Sequence, residues 1–140
     1  MVGNRIYDPC FSVAALTDAV ICDADPVKAN AGFVLKLTKP LPEPPLKEPA
    51  DPRPWLVKLA DGTTCAIHTG TIPLVAGLMV PYGCSDSLAR GNKGPSRMTG
   101  LTDKFQRKRL WMADKITYKS SDKGLQLISR TSVPVSTAWE

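Results

Sequence analysis

The chain has 140 residues, 43% of them apolar, which is enough for one buried core and too much for wholesale disorder. Its net charge of +5 is uneven: residues 1–84 hold seven Lys and Arg against eight Asp and Glu, whereas residues 85–140 hold eleven against five, so an anionic partner would be met in the C-terminal part. No run of about 18 apolar residues exists, which excludes a membrane-spanning helix.

The start, Met1-Val2-Gly3-Asn4-Arg5, lacks the apolar stretch of a signal peptide. An exported protein carries such a segment, so the expectation is that it has been cut away and Met1 supplied in its place. Asp8-Pro9 has the form of an N-cap with Pro at the first helical position. It predicts a short helix through Phe11, Ala14, Ala15 and Leu16, although a tight loop closed by a Cys10–Cys22 bond fits the same residues. Residues 19–22 read as a brief strand, stopped by Asp23 to Pro26.

Phe33, Leu35 and Leu37 alternate with Val34, Lys36 and Thr38, the period-two pattern of a half-buried strand that Pro40 ends. Seven of the 13 prolines lie in residues 40–54. Pro removes donors and restricts its predecessor, which predicts an extended polyproline II arm crossing the surface between two strands. The same segment would suit a proline-recognising domain, but an exported protein rarely meets one.

The strongest local signal is residues 55–68, two β-rich runs flanking Asp61-Gly62, a pair that supplies the positive φ of a type I′ hairpin turn. Strict two-residue pairing sets Thr64, Ala66 and His68 on the face of Trp55, Val57 and Leu59. A one-residue bulge swaps the second strand's faces, and the register stays open. Residues 70–73 turn the chain, and residues 78–84 read as a strand in which Pro81 implies an edge position or a bulge. Residues 85–109 read as a basic loop, long and Gly/Ser-rich to residue 100, with one or two helical turns from Thr102 towards Leu110. Residues 110–118, 125–130 and 133–139 read as three more strands, the first two joined by a Gly-containing hairpin loop at 120–124. Together these elements predict one mainly β domain over residues 1–140. It would be a compact antiparallel barrel or small sandwich of about seven strands with little helix.

Cys10, Cys22, Cys65 and Cys84 contain no C-x-x-C pair and read as a disulfide framework, hence as an oxidising compartment. Of three possible pairings the sequential one, Cys10–Cys22 and Cys65–Cys84, is expected because it closes two local loops. A cytosolic protein with four free thiols is the competing reading. Zinc on Cys65-x-x-His68 would have one short ligand pair where zinc sites usually have two. Cys65 as a nucleophile with His68 as its base would be silenced by a disulfide. His68, the one histidine, would make a small hydrolase only beside a second polar group. Asp23/Asp25 and Asp8/Asp18 sit by turns, where Asp is common. Phosphate-binding Gly loops and Gly-x-Ser-x-Gly elbows do not occur. No catalytic residue, metal site or cofactor is therefore assigned.

Lys104, Arg107, Lys108 and Arg109, interleaved with Phe105 and Trp111, form the one basic cluster with aromatic neighbours. It is the candidate surface for a cell-surface polyanion or an envelope protein, not for nucleic acid, which an exported protein seldom meets. The plainer reading is a solvated positive loop with Phe105 and Trp111 as core anchors.

Tyr7-Asp8-Pro9-Cys10-Phe11, Val20-Ile21-Cys22, Asp25-Pro26, the run PWLVKLADGTTC from Pro54 to Cys65, Thr69-Gly70-Thr71 and Tyr82-Gly83-Cys84 stand in one order. That order resembles small exported bacterial proteins and lipoproteins of uncharacterised function. In them a Pro-Trp-x-x-x-Leu-x-Asp-Gly-x-x-Cys … Gly … Tyr-x-Cys core is followed by a Trp-containing strand, here Trp111. The resemblance covers about residues 7–84 and departs at the missing signal segment, at the lack of a lipobox-like Cys near residue 1, and at the basic insertion 88–109. It implies export to the periplasm or the exterior and disulfides, and it carries no catalytic residues. A fainter similarity to periplasmic lysozyme inhibitors, small disulfide-bearing β-barrels that plug an enzyme cleft, implies an alternative: inhibition of a hydrolase through the loop of residues 85–100. The expected role is non-enzymatic, in binding or in envelope structure.

Overall fold

A computed structural model describes residues 10–13, 15–28, 31–41, 53–87 and 97–139, and its regular structure is entirely β. No helix among these residues is long and apolar enough to cross a membrane. Both expected disulfides are formed, Cys10–Cys22 and Cys65–Cys84. Beside the single domain expected over residues 1–140, the chain divides into two compact units, Met1–Asp51 and Pro52–Glu140.

The first unit holds an antiparallel sheet in the order β1 (Cys10–Val13), β2 (Leu16–Cys22), β3 (Phe33–Lys36). The short helix expected through Phe11 and Leu16 is not formed. Instead Cys10 pairs with Cys22, Phe11 with Ile21 and Ser12 with Val20, so the disulfide joins directly opposed residues of a hairpin. Thr17, Val20 and Ile21 in β2 are β-branched and suit that pairing. The half-buried face expected on β3 is also absent: Phe33, Val34, Leu35 and Lys36 are all exposed. Burial falls on Ala19, Val20 and Cys22 of the central strand, because β3 is the outer strand of the sheet and pairs only with β2.

The second unit is a closed barrel of six strands: β4 (Leu56–Leu59), β5 (Thr64–Ile67), β8 (Tyr82–Cys84), β9 (Arg97–Arg107), β10 (Trp111–Ser121) and β11 (Gly124–Trp139). Each is antiparallel to its neighbours, and β11 returns to β4. Ring order follows chain order, an up-and-down meander in which β6 (Leu74–Val75) and β7 (Leu78–Met79) make one excursion. Ala76 (φ 49°) and Gly77 (φ 78°) form the two-residue turn of that excursion, with positive φ at both positions as right-twisted strands demand.

The Asp61-Gly62 hairpin takes the bulged form. Leu56 pairs with Ala66, Val57 with Cys65 and Lys58 with Thr64, which leaves Ala60, Asp61 and Gly62 as the loop. Only Gly62 has positive φ there (88°); its N–H donates to Leu59 O at 3.0 Å, and Thr63 N–H donates to Asp61 Oδ1 at 2.8 Å. This register brings Cys65 onto the face of Val57 and Leu59, inside the barrel. Val57, Leu59, Cys65, Tyr82, Cys84, Leu101 and Ala113 form that core, with Ile67, Phe105, Val133 and Val135 packed on it. Tyr82 meets Phe105 edge-on at 5.5 Å and donates its hydroxyl to Pro54 O at 2.6 Å. Burial pushes this phenol up to about 12.

The single strand expected over residues 78–84 is broken into β7 and β8 at Val80-Pro81. Pro81 marks no sheet edge: it is buried just before β8, and its carbonyl accepts from His68 N–H at 2.7 Å. A second cluster of Val75, Val80, Ile116 and Tyr118, with Leu78, Met98 and Leu125 against it, lies under the β6–β7 excursion.

The helical turns expected from Thr102 are not formed either, and the basic segment 85–109 is not one loop. Residues 97–107 are strand, paired with β10 from Lys119↔Arg97 to Trp111↔Arg107 with a register shift between Lys115↔Leu101 and Ala113↔Phe105. Pairing across so long a hairpin satisfies the backbone groups that isolated helical turns would leave open. The two C-terminal strands expected at 125–130 and 133–139 are one, because Thr131 and Ser132 pair with Lys115 and Asp114 without a break. Residues 42–52 of the proline-rich arm and 88–96 of the basic loop lie outside the described residues.

Candidate functional site

β11 serves two neighbours in turn. It pairs with β10 as far as Met112↔Pro134, then passes to β4 from Val135↔Leu59 onwards. The two strands therefore part at one end of the barrel, where the three-residue loop Lys108-Arg109-Leu110 joins β9 to β10. Between them lies a groove of about 370 Å³, with Arg109, Leu110 and Trp111 on one wall and Val135, Ser136, Thr137 and Ala138 on the other. Arg107 is directly opposite Trp111, and its guanidinium lies 4.7 Å from the indole centroid. This stacking sets the Arg107 charge against the indole that lines the groove. Leu110 is 58% exposed.

Of the four basic residues singled out in the sequence, Arg107, Lys108 and Arg109 come together at this end. Lys104 does not. It lines a separate 130 Å³ hollow with Gln106, Met112, Asp114 and Arg130. There the Asp114 carboxylate accepts from Arg130 Nε at 2.9 and 3.1 Å and from Thr102 Oγ1 at 2.8 Å. Burial raises its pKa, but these donors outweigh burial and hold the carboxyl below its usual range. Phe105 is the core anchor the sequence implied, whereas Trp111 is half-buried at the groove. The second unit as a whole holds thirteen Lys and Arg against six Asp and Glu.

A second polar cluster was not legible in the sequence. Lys115 Nζ, its side chain 12% exposed, bonds Asp86 Oδ2 at 2.6 Å and lies 3.7 Å from Asp61 Oδ2. Asp86 also accepts from Thr99 Oγ1, and Ser87 Oγ joins Thr99 through its N–H at 3.0 Å. These groups come from the β4–β5 loop, the end of β8, β9 and β10. They satisfy one another, which is the work of a structural network.

His68 packs against Gly83, so close that a Cβ there would sit 2.8 Å from the imidazole Cε1. Its Nε2 is buried with no hydrogen-bond partner, and desolvation lowers its pKa. The Cys65 sulfur is bonded to Cys84, which removes both the zinc and the thiol readings of Cys65-x-x-His68. Asp25, of the Asp23/Asp25 pair, caps a turn by accepting Val27 N–H at 2.9 Å, and Asp8 lies outside the described residues.

No family model, curated protein or solved structure matches this chain.

The state of His68 has a measurable consequence. Its folded pKa lies below the unfolded value near 6.5, so the unfolded state takes up the proton first. The contribution of His68 to stability is complete above that value and declines as pH falls from it towards the folded pKa. Since the chain has one histidine, His68→Leu is expected to flatten the stability profile in this window alone. Urea midpoints at pH 7 and pH 5 measure it; an unchanged difference between the two midpoints would refute the lowered pKa of this half-buried imidazole.

Proposed function

We propose that this protein is an exported, non-enzymatic binding domain of the periplasm or the cell exterior, whose anionic partner is met at the basic, aromatic end of the barrel. Two disulfides are the mark of an oxidising compartment. The similarity to small exported bacterial proteins, stated above on the Pro-Trp and Tyr-x-Cys residues, points the same way. The observation that carries the reading is a groove walled by Arg109, Leu110 and Trp111, with Arg107 stacked on the Trp111 indole and Lys108 next to Arg109 in the same loop. Charge attracts and orients an anionic chain, and the indole and Leu110 supply apolar contact once it is seated. The packing of His68 on Gly83, with Nε2 shut away from solvent, supports a role without acid–base catalysis.

Heparin, a soluble polyanion, tests the site. Its affinity is expected to fall steeply between low and physiological salt. Replacing Arg107, Lys108 and Arg109 together by Gln is expected to weaken binding at least tenfold and to lower the slope of log affinity on log salt by roughly two. Replacing Arg97, Lys119 and Lys123 together by Gln, three charges at the other end of the β9–β10 pair, is the control for net charge. Binding that is absent, salt-independent or equally weakened by the control variant would refute the assignment.

A further inference from the structure

The geometry points to strand addition: an acidic, extended segment of a partner polypeptide pairs with β11 along Val135–Ala138, inside the groove. This rests on the anionic reading above and narrows it to a polypeptide.

Up to Pro134 one side of β11 is occupied by β10. Beyond it β10 has ended, because Trp111, its first residue, pairs back to Arg107 on β9. From Val135 to Trp139 the strand pairs with β4 on its other side, with a bulge at Ser136 between Val135↔Leu59 and Thr137↔Lys58. Among the described residues, no strand covers the edge that β10 gives up. Four residues of extended chain span about 13 Å, a short stretch of the kind that peptide-binding sheet edges use.

The walls suit a strand. Ser136, Thr137 and Ala138 carry small side chains, which lets another backbone come close. Ser136 Oγ is turned to the β4 side, where it donates to Lys58 O at 3.1 Å, so it does not compete for the groove. An uncovered edge offers N–H and C=O groups at the spacing of a polypeptide backbone. A sulfated polysaccharide has no matching series. Side chains alternate along an added strand, so acidic residues at every second position would share one face and could meet Arg109 on the opposite wall of the groove.

The test uses the full chain and four probes: an alternating Glu-Val peptide, the same peptide N-methylated at every second amide in each of its two phases, and heparin. The plain peptide is expected to bind with a salt-dependent affinity, and one N-methylated phase to bind at least tenfold more weakly. Amide exchange at Val135–Ala138 should slow on binding. If heparin and all three peptides bind alike, with exchange at those amides unchanged, strand addition fails while the anionic site stands. If no probe binds, both fail together.

Discussion

Replacing Gly100 by Ala is expected to destabilise the barrel by about 3 kcal/mol, at or beyond the upper end of the usual cost of overpacking. Gly100 lies on β9 opposite Gly83 of β8 and Ile116 of β10. A Cβ there would overlap both the carbonyl oxygen of Tyr82 and Cγ1 of Val80, far inside van der Waals contact. Neither can withdraw. The carbonyl belongs to the backbone of β8 in the closed ring, and Val80 is fully buried in the cluster beneath the β6–β7 excursion. Gly83→Ala is the informative comparison, because its Cβ would meet only the His68 ring, a side chain that can turn aside. That variant is expected to lose less than about 1 kcal/mol, and His68→Ala should remove most of the loss. Val80→Ala should not rescue Gly100→Ala, since the backbone oxygen remains. Urea unfolding of the four variants decides it; a Gly100→Ala midpoint equal to that of the parent would refute the contact.

The second large effect concerns Cys65–Cys84. The bond joins opposed residues on adjacent strands and lies within the barrel core. Closing a loop of about 20 residues is worth roughly 3 kcal/mol through the unfolded chain, with any native strain subtracted. Against a typical net stability of about 5–15 kcal/mol, that is a fifth or more of the total. Cys65→Ala with Cys84→Ala is expected to lower barrel stability by about that amount, plus the loss of two buried sulfurs. Trp55, Trp111 and Trp139 all belong to the second unit, so tryptophan fluorescence follows the barrel's unfolding. The parent treated with reductant alone should keep its native fluorescence for longer than when reductant is combined with urea, because Cys65 is wholly buried and the barrel must open first. Immediate loss of signal in reductant alone would contradict that burial.

How much was legible follows from the range of the interactions that decide each feature. Asp61-Gly62 announced its hairpin because a turn is settled by the φ preferences of adjacent residues. The cysteine pairing was legible because both loops are local. The helices expected at residues 11–16 and 102–110 failed for the opposite reason. A cap-like Asp8-Pro9 and a run of Lys, Arg and Gln favour helix locally, but Phe11 and Phe105 found strand partners at Ile21 and Ala113. The same limit hid the Lys115–Asp86 pair, whose members are 29 residues apart, and the groove, which exists only because β11 changes neighbours at Pro134.

The sequence by itself determined that the chain is strand-rich, that hairpins turn at Asp61-Gly62 and at residues 120–124, that its cysteines pair, and that its positive charge gathers near residues 104–111. These are matters of composition and of neighbours along the chain. Tertiary structure alone decided which face each strand buries, that Cys65 points inward, and that three of the four basic residues line one end of a closed barrel while Lys104 stands apart. Register and closure depend on side chains that meet across the sheet. A shift of one residue exchanges the two faces of a strand, so no local preference can settle them.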